Sequence, residues 1–209
     1  MKSEEIWLIA QRIKAIADTG LLYGKNEYDL ERYRELQEIS LQLGSGITGK
    51  DMETLRSFYD QCTDYPTPKT DIRGIALNEA GEVLLVQESI DGKWSLPGGW
   101  ADIGHTPAEV IVKEFREETG LEVVPRQLLA LFDKKCHPHP PQPYYVYKYL
   151  FYCELQSTTI QKGFDILDAA FFAVDQLPPL SEDRILASQI QMAWNKIQTG
   201  DATTFFDQP

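Results

Sequence analysis

The chain has 209 residues, of which 43% are hydrophobic and 25% charged, and its formal net charge is −12 at pH 7. That length allows one large domain, or a catalytic domain with a small companion, and the acidic balance argues against broad binding to nucleic acid or anionic membranes. No apolar run is long enough to span a membrane, and three cysteines, Cys62, Cys136 and Cys153, fit no disulfide framework, so a cytoplasmic protein with reduced thiols is expected.

Residues 1–64 show no strand-like alternation. Three helical patterns stand out there: Ile6, Ile9, Ala10 and Ile13; Leu30, Tyr33, Leu36 and Leu43; Met52, Leu55, Phe58 and Cys62. Gly20, Gly44 and the stretch from Gly46 to Gly49 are expected to punctuate them. The Pro-bearing link Tyr65-Pro66-Thr67-Pro68 then separates a helical domain, 1–64, from a second domain, 65–209.

The second domain opens with a hairpin, Asp71 to Asn78 and Val83 to Glu88, turning around Gly81. Further strands are expected at Gln127 to Asp133, Tyr144 to Leu155 and Asp168 to Val174. A last amphipathic helix from Glu182 to Ile197 would rest on Leu186, Ile190, Ala193 and Ile197. A mixed sheet covered by helices follows. In KKCHPHPPQP, Cys136, His137 and His139 suggest zinc, but no fourth ligand is evident and the prolines equally suit a stiff surface loop.

The most informative segment is Gly99 to Leu121, GWADIGHTPAEVIVKEFREETGL, directly after a Pro-Gly turn. Thr106 suits an N-cap, Pro107 the first helical position, Glu109 the third and Gly120 the left-handed terminator. At roughly 100° per residue, Glu118 falls about 40° to one side of Glu114 and Glu117 about 60° to the other. With no Lys or Arg expected in that sector, three carboxylates oppose each other's ionisation unless a hard divalent cation lies among them, Mg2+ most simply and Mn2+ as an alternative. Ala108, Ile111, Val112 and Phe115 are the expected packed back of the helix.

This segment resembles the Nudix box, G-x5-E-x7-R-E-U-x-E-E-x-G-U with U apolar. Gly99 takes the opening glycine, Glu114 the glutamate of the R-E pair, Phe115 the apolar position, Glu117 and Glu118 the E-E pair, and Gly120 and Leu121 the close. Two positions depart: His105 stands for glutamate and Lys113 for arginine, a pair that in the family usually braces the loop by a salt bridge. Glu109, four residues before Lys113, is the expected substitute partner.

Outside the box, YPTPK, LPGGWAD, HPHPP and FF-x-x-D-x-LPPLS, with the N-terminal Trp7, Thr19-Gly20-Leu21 and Asp29 to Tyr33, look like one bacterial Nudix subgroup with a helical N-terminal domain. The resemblance implies an α/β fold, a Nudix α/β/α sandwich with mixed sheet, plus a small all-α N-terminal domain that would dimerise. It implies metal binding by the main-chain carbonyl of Gly98 and by Glu114, Glu117 and Glu118, with Glu117 and Glu118 catalytic. The general base would come from Glu154, Asp165 or Asp168, with Asp165 the first choice. Arg73, Gln87 and Lys93 are candidates for phosphate or leaving-group contacts, and Trp94 and Trp100 for base stacking or packing of the sheet edge. The implied reaction is hydrolysis of a nucleoside diphosphate linked to another moiety, ADP-ribose or CDP-choline, by a homodimer. Alternatives are pyrophosphate removal from nucleoside triphosphates or RNA ends, and a non-catalytic nucleotide sensor, for which the C-terminal TGDATTFFDQP leaves no winged helix.

Overall fold

The computed structural model describes residues 2–58 and 65–208. They divide into two compact units, Met1–Pro68 with Pro141–Tyr145, and Lys69–Pro140 with Val146–Pro209. Cys62, assigned to the third helical pattern, lies outside the described residues, as does the side chain of Phe58.

The first unit contains α1 (Ser3–Tyr23), α2 (Glu27–Thr48) and α3 (Met52–Phe58). The short link 24–26 folds α2 back along α1, and the Asn26 side chain caps α2 by accepting the Tyr28 N–H at 2.9 Å. Trp7, Ala10, Ala17, Leu41 and Leu55 form its buried interior. Gly20 and Gly44 do not punctuate the helices as expected; they lie inside them, where the helices touch. A Cβ on Gly20 would stand 2.4 Å from the Tyr33 ring, and one on Gly44 2.7 Å from Trp7. Trp7 Nε1 and Gln11 Nε2 donate to the Gln142 carbonyl at 2.8 and 3.0 Å, which ties the segment 141–145 to this unit.

The second unit contains β1 (Lys69–Ile75), β2 (Val83–Glu88), β3 (Trp94–Ser95), β4 (Gly98–Trp100), α4 (Pro107–Thr119), β5 (Val123–Asp133), β6 (Val146–Leu155), β7 (Ile166–Phe172), α5 (Ala187–Thr199) and β8 (Phe205–Phe206). Two sheets form rather than one. A mixed sheet runs β4-β1-β6-β5-β8, with β1 parallel to β6, and an antiparallel sheet runs β3-β2-β7. Strands β3, β4 and β8 are two or three residues long, too short to leave a periodic pattern in the sequence. Helix α5 begins later than expected because Ser181 to Ile185 closes a turn first, with the Arg184 and Ile185 N–H groups donating to the Ser181 carbonyl.

Alternation along β1 divides the core. Ile72 and Ala76 face α4 with Leu84, Val110, Ile111 and Phe115, whereas Ile75 packs with Leu85, Leu96, Phe132, Leu150 and the α5 residues Ile190 and Ala193. Gly74 lets α4 lie close to the sheet, since a Cβ there would meet the Phe115 ring at 2.5 Å. The buried face of α4 is Val110, Ile111 and Phe115; Ala108 is exposed. The stripe is therefore turned slightly from the expected one, and Glu118 lies in line with Ile111 and Phe115 on the sheet side.

Candidate active site

Helix α4 is capped at both ends as the sequence indicates. Thr106 Oγ1 accepts the Glu109 N–H at 3.2 Å, Glu109 Oε2 accepts the Thr106 N–H at 2.8 Å, and Gly120 is left-handed at φ 69°. Glu109 is thus occupied by the cap and does not pair with Lys113. Instead the Lys113 ammonium donates to Asp102 Oδ2 at 2.8 Å, bracing the loop before the helix. Lys113 also lies 4.0 Å from Glu117, so a cation does share the glutamate sector.

The three glutamates differ in exposure. Glu118 is 5% exposed, Glu114 is partly buried, and the Glu117 side chain is 52% exposed. Gly98 explains the placement of Glu118. It has φ 139° and pairs with Arg73, and a Cβ there would stand 2.0 Å from the Ile72 carbonyl oxygen. Its N–H donates to Glu118 Oε2 at 3.0 Å. A Cβ on Gly99 would stand 2.5 Å from Glu114 Oε1, so that carboxylate lies directly against the turn.

Burial pushes the Glu118 carboxyl up to about 8; Arg73 and the Gly98 N–H oppose the rise, and Glu114 and Glu88 add to it. Glu114 is raised as well, first by burial, with Arg73 opposing and Glu117 and Asp165 adding. Both carboxyls are thus held toward their neutral form, chiefly by burial.

Arg73 is 6% exposed, and its charge bears on both Glu114 and Glu118. Its Nε donates to Asp71 Oδ1 at 2.9 Å and its Nη1 to the Leu96 carbonyl at 3.0 Å, with Glu88 Oε1 3.7 Å from Nη1. Asp71 also accepts from the buried Lys148 ammonium, and Glu88 accepts from Ser95 Oγ at 2.7 Å and pairs with Arg184 Nε at 2.9 Å. Although burial alone would raise Asp71, Arg73 and Lys148 hold its carboxyl down to about 2.

The segment after β6 grips the end of α4. The Gln161 and Gly163 N–H groups donate to the carbonyls of Thr119 and Glu118, each at 2.8 Å. A Cβ on Gly163 would stand 2.1 Å from the Glu117 carbonyl oxygen. This grip holds exposed Asp165 where its charge bears on Glu114. Of the other base candidates, Glu154 pairs with Arg126, and Asp168 accepts the Ala169 N–H at 2.8 Å.

The remaining substrate candidates lie around the β2–β3 hairpin. Gln87 Nε2 donates to the Gly92 carbonyl at 2.8 Å and so braces the turn, and Lys93 is exposed on it. Trp94 packs edge-on against Phe172, centroids 4.7 Å apart; Trp100 is 47% exposed with Lys69 Nζ 5.6 Å from its ring centroid.

Among the described residues no three of His, Cys, Asp and Glu converge as a ready-made metal cage. Of the zinc candidates, His137 pairs with Asp207 at 3.1 Å and His139 lies 2.6 Å from the Glu182 carbonyl, with their ring centroids 6.4 Å apart. The glutamate face offers the hard oxygen donors that a divalent ion takes, and its raised carboxyls are the groups such a charge would relieve.

Sequence reasoning missed Asp71, Glu88, Ser95, Lys148, Arg184 and Asp102. The signal for the buried set was present: charged residues interrupt strands that are otherwise rich in apolar residues.

Residues 67–191 match the model of the NUDIX domain, and residues 4–59 that of a UDP-X-like N-terminal oligomerisation domain. A Bacillus subtilis (strain 168) protein, provisionally named as an ADP-ribose pyrophosphatase, is 43% identical over 208 residues, 99% of this chain and 100% of its own. A crystal structure of a UDP-X diphosphatase aligns with a TM-score of 0.63 and 34% identity, covering 99% of this chain and 100% of the other. That of an ADP-ribose pyrophosphatase from Streptococcus suis 89-1591 aligns with a TM-score of 0.61 and 35% identity over 68% of this chain and all of its own.

Proposed function

Because the chain belongs to the Nudix family and is a hydrolase of that family, we propose that it cleaves the diphosphate bond of a nucleoside diphosphate linked to a second moiety, releasing a nucleoside monophosphate and a phosphorylated partner. The observation that carries this reading is the buried Glu118 carboxylate beside Glu114, joined to the Gly98 N–H at 3.0 Å and pushed up to about 8 chiefly by burial.

In this proposal Glu114, Glu117, Glu118 and the Gly98 carbonyl hold a divalent cation, Mg2+ first and Mn2+ as a substitute. The bound cation supplies charge neutralisation for the diphosphate and acidifies water. Arg73 favours the ionised form of Glu118 by its charge, and the Lys113–Asp102 pair orders the loop beside the site. Asp165 accepts the proton from the attacking water as the P–O–P link opens.

ADP-ribose is the leading substrate, supported by the names of the 43%-identical relative and of the Streptococcus suis structure. A UDP-linked substrate is the second reading, supported by the match of the helical segment and by a structure that covers 99% of the chain; CDP-choline completes the comparison. The N-terminal match also supports a homodimer.

The test is a Mg2+-dependent hydrolysis panel of ADP-ribose, UDP-sugars, CDP-choline and nucleoside triphosphates with product resolution, alongside Glu118→Gln and Asp165→Asn. One preferred diphosphate-X, cut to a monophosphate and silenced by Glu118→Gln, is the expected result. Tight nucleotide binding without turnover overturns it in favour of a sensor. Asp165→Asn should lower kcat by about 10²-fold or more with KM nearly unchanged if Asp165 is the base.

A further inference from the structure

Helix α1 carries apolar residues on two faces, and the helical unit uses one of them. Trp7, Ala10 and Ala17 form the buried row. Trp7 lies against Gly44 of α2, the Ala10 carbonyl accepts Ser40 Oγ at 2.8 Å, and buried Leu55 of α3 reaches the same interior. At roughly 100° per residue, Ile9, Ile16 and Tyr23 form a second row, centred about 130° around the helix from the first. All three are exposed, Ile16 by 58% and Tyr23 by 63%. Single exposed apolar residues are ordinary on a protein surface, but this row keeps a constant heptad interval along about four turns.

The interval identifies what the row fits. With half-buried Ile6, Ile13 and Gly20 beside it, the positions Ile6, Ile9, Ile13, Ile16, Gly20 and Tyr23 alternate steps of three and four. Such a seam is made for another helix lying along it at a shallow angle. The net charge of −12 opposes the alternative of an anionic lipid surface. Exposed Glu5 and Arg12 border the row with opposite charges, so two copies brought together do not meet one sign of charge alone. On α2, by contrast, exposed Tyr28 and Ile39 lie about three turns apart with exposed Arg32 and Glu35 between them, and no such row forms. The match of residues 4–59 to an oligomerisation domain favours a second copy of the chain as the occupant.

We propose that Ile9, Ile16 and Tyr23 of α1 form the seam of the homodimer, packing on the same row of a second copy about a two-fold axis. The assignment rests on the homodimer reading above and deepens it by naming the surface; it does not depend on the substrate. In a contact of this symmetry every substitution acts twice, once in each copy.

The test is sedimentation equilibrium of the full chain at micromolar concentration, with wild type beside Ile16→Glu, Tyr23→Glu and the off-row control Tyr28→Glu. Wild type and Tyr28→Glu should sediment at twice the chain mass, whereas Ile16→Glu and Tyr23→Glu should dissociate with Kd raised at least about 100-fold. Their helical circular dichroism should match that of wild type, since both positions are exposed in the single chain. A monomeric wild type overturns the homodimer reading and the seam together. A dimer that survives both row variants, or that only Tyr28→Glu dissolves, overturns the seam alone. Should the row variants not fold, a mixed dimer of isotope-labelled and unlabelled wild type decides: isotope-filtered NOEs between the copies include the Ile9 or Ile16 methyl groups, or the seam is wrong.

Discussion

The ammonium of Lys113 stands 2.8 Å from Asp102 Oδ2, closing the loop onto the helix across eleven residues of sequence. That contact replaces the Glu–Arg brace absent from positions 105 and 113. Both side chains are largely exposed, 41% and 54%, so the pair orders a loop rather than stabilising the fold. Asp102→Ala should therefore leave the melting temperature nearly unchanged while lowering kcat several-fold. Adding His105→Glu in that background should restore activity by giving Lys113 a new partner; failure to recover would show that Asp102 has another role.

Glu118 predicts a pH-dependent stability that divalent ions should abolish. Its folded pKa, about 8, is above the ordinary 4.5, so its contribution is fully present below about pH 4.5 and is lost as pH rises through 8. The metal-free wild type should melt at lower temperature at pH 8.5 than at pH 6, and Glu118→Gln should flatten much of that difference. Mg2+ should raise the wild-type melting temperature more at pH 8.5 than at pH 6, because at low pH it must displace a proton.

Gly163→Ala tests the grip on the end of α4. Its Cβ would come within 2.1 Å of the Glu117 carbonyl oxygen, so the segment carrying Asp165 must move. We expect kcat to fall about 10-fold or more, through lost positioning of the base, with a stability loss of about 1–3 kcal/mol. Thermal melts beside single-turnover rates separate the two effects, and unchanged rates would remove Asp165 from the mechanism.

Asp71→Asn should be the most destabilising of these changes, by about 3–5 kcal/mol, because it leaves Arg73 and Lys148 buried with too little negative charge. Asp71 has a folded pKa of about 2 against an ordinary 3.8, so its contribution holds above the ordinary value and is lost as pH falls through 2. Urea melts at pH 7 measure the cost, and the variant should show a shallower loss of stability than wild type between pH 4 and pH 2.

Local rules carried the elements whose signals are contiguous. The caps of α4 could be read from Thr106, Pro107, Glu109 and Gly120, because each acts within one turn of helix. Apolar strands such as β2 announced themselves by composition, as did the paired long helices. What stayed hidden depends on tertiary placement. Gly20 reads as a breaker until Tyr33 is seen against it, and Arg73 reads as a surface phosphate contact until Asp71 and the Leu96 carbonyl are seen to hold it. The unequal burial of Glu114, Glu117 and Glu118 likewise depends on which way the sheet turns the helix, which periodicity fixes only to within a residue.

The two outer strands of the mixed sheet have a consequence for how this chain behaves when crowded with copies of itself. One margin is β4, three residues including Gly98 and Gly99, and the other is β8, two residues covering part of β5. At the β4 margin a neighbouring polypeptide finds only a few rungs, one of them at a glycine already turned toward Glu118. That margin is therefore a poor template for the addition of a further strand.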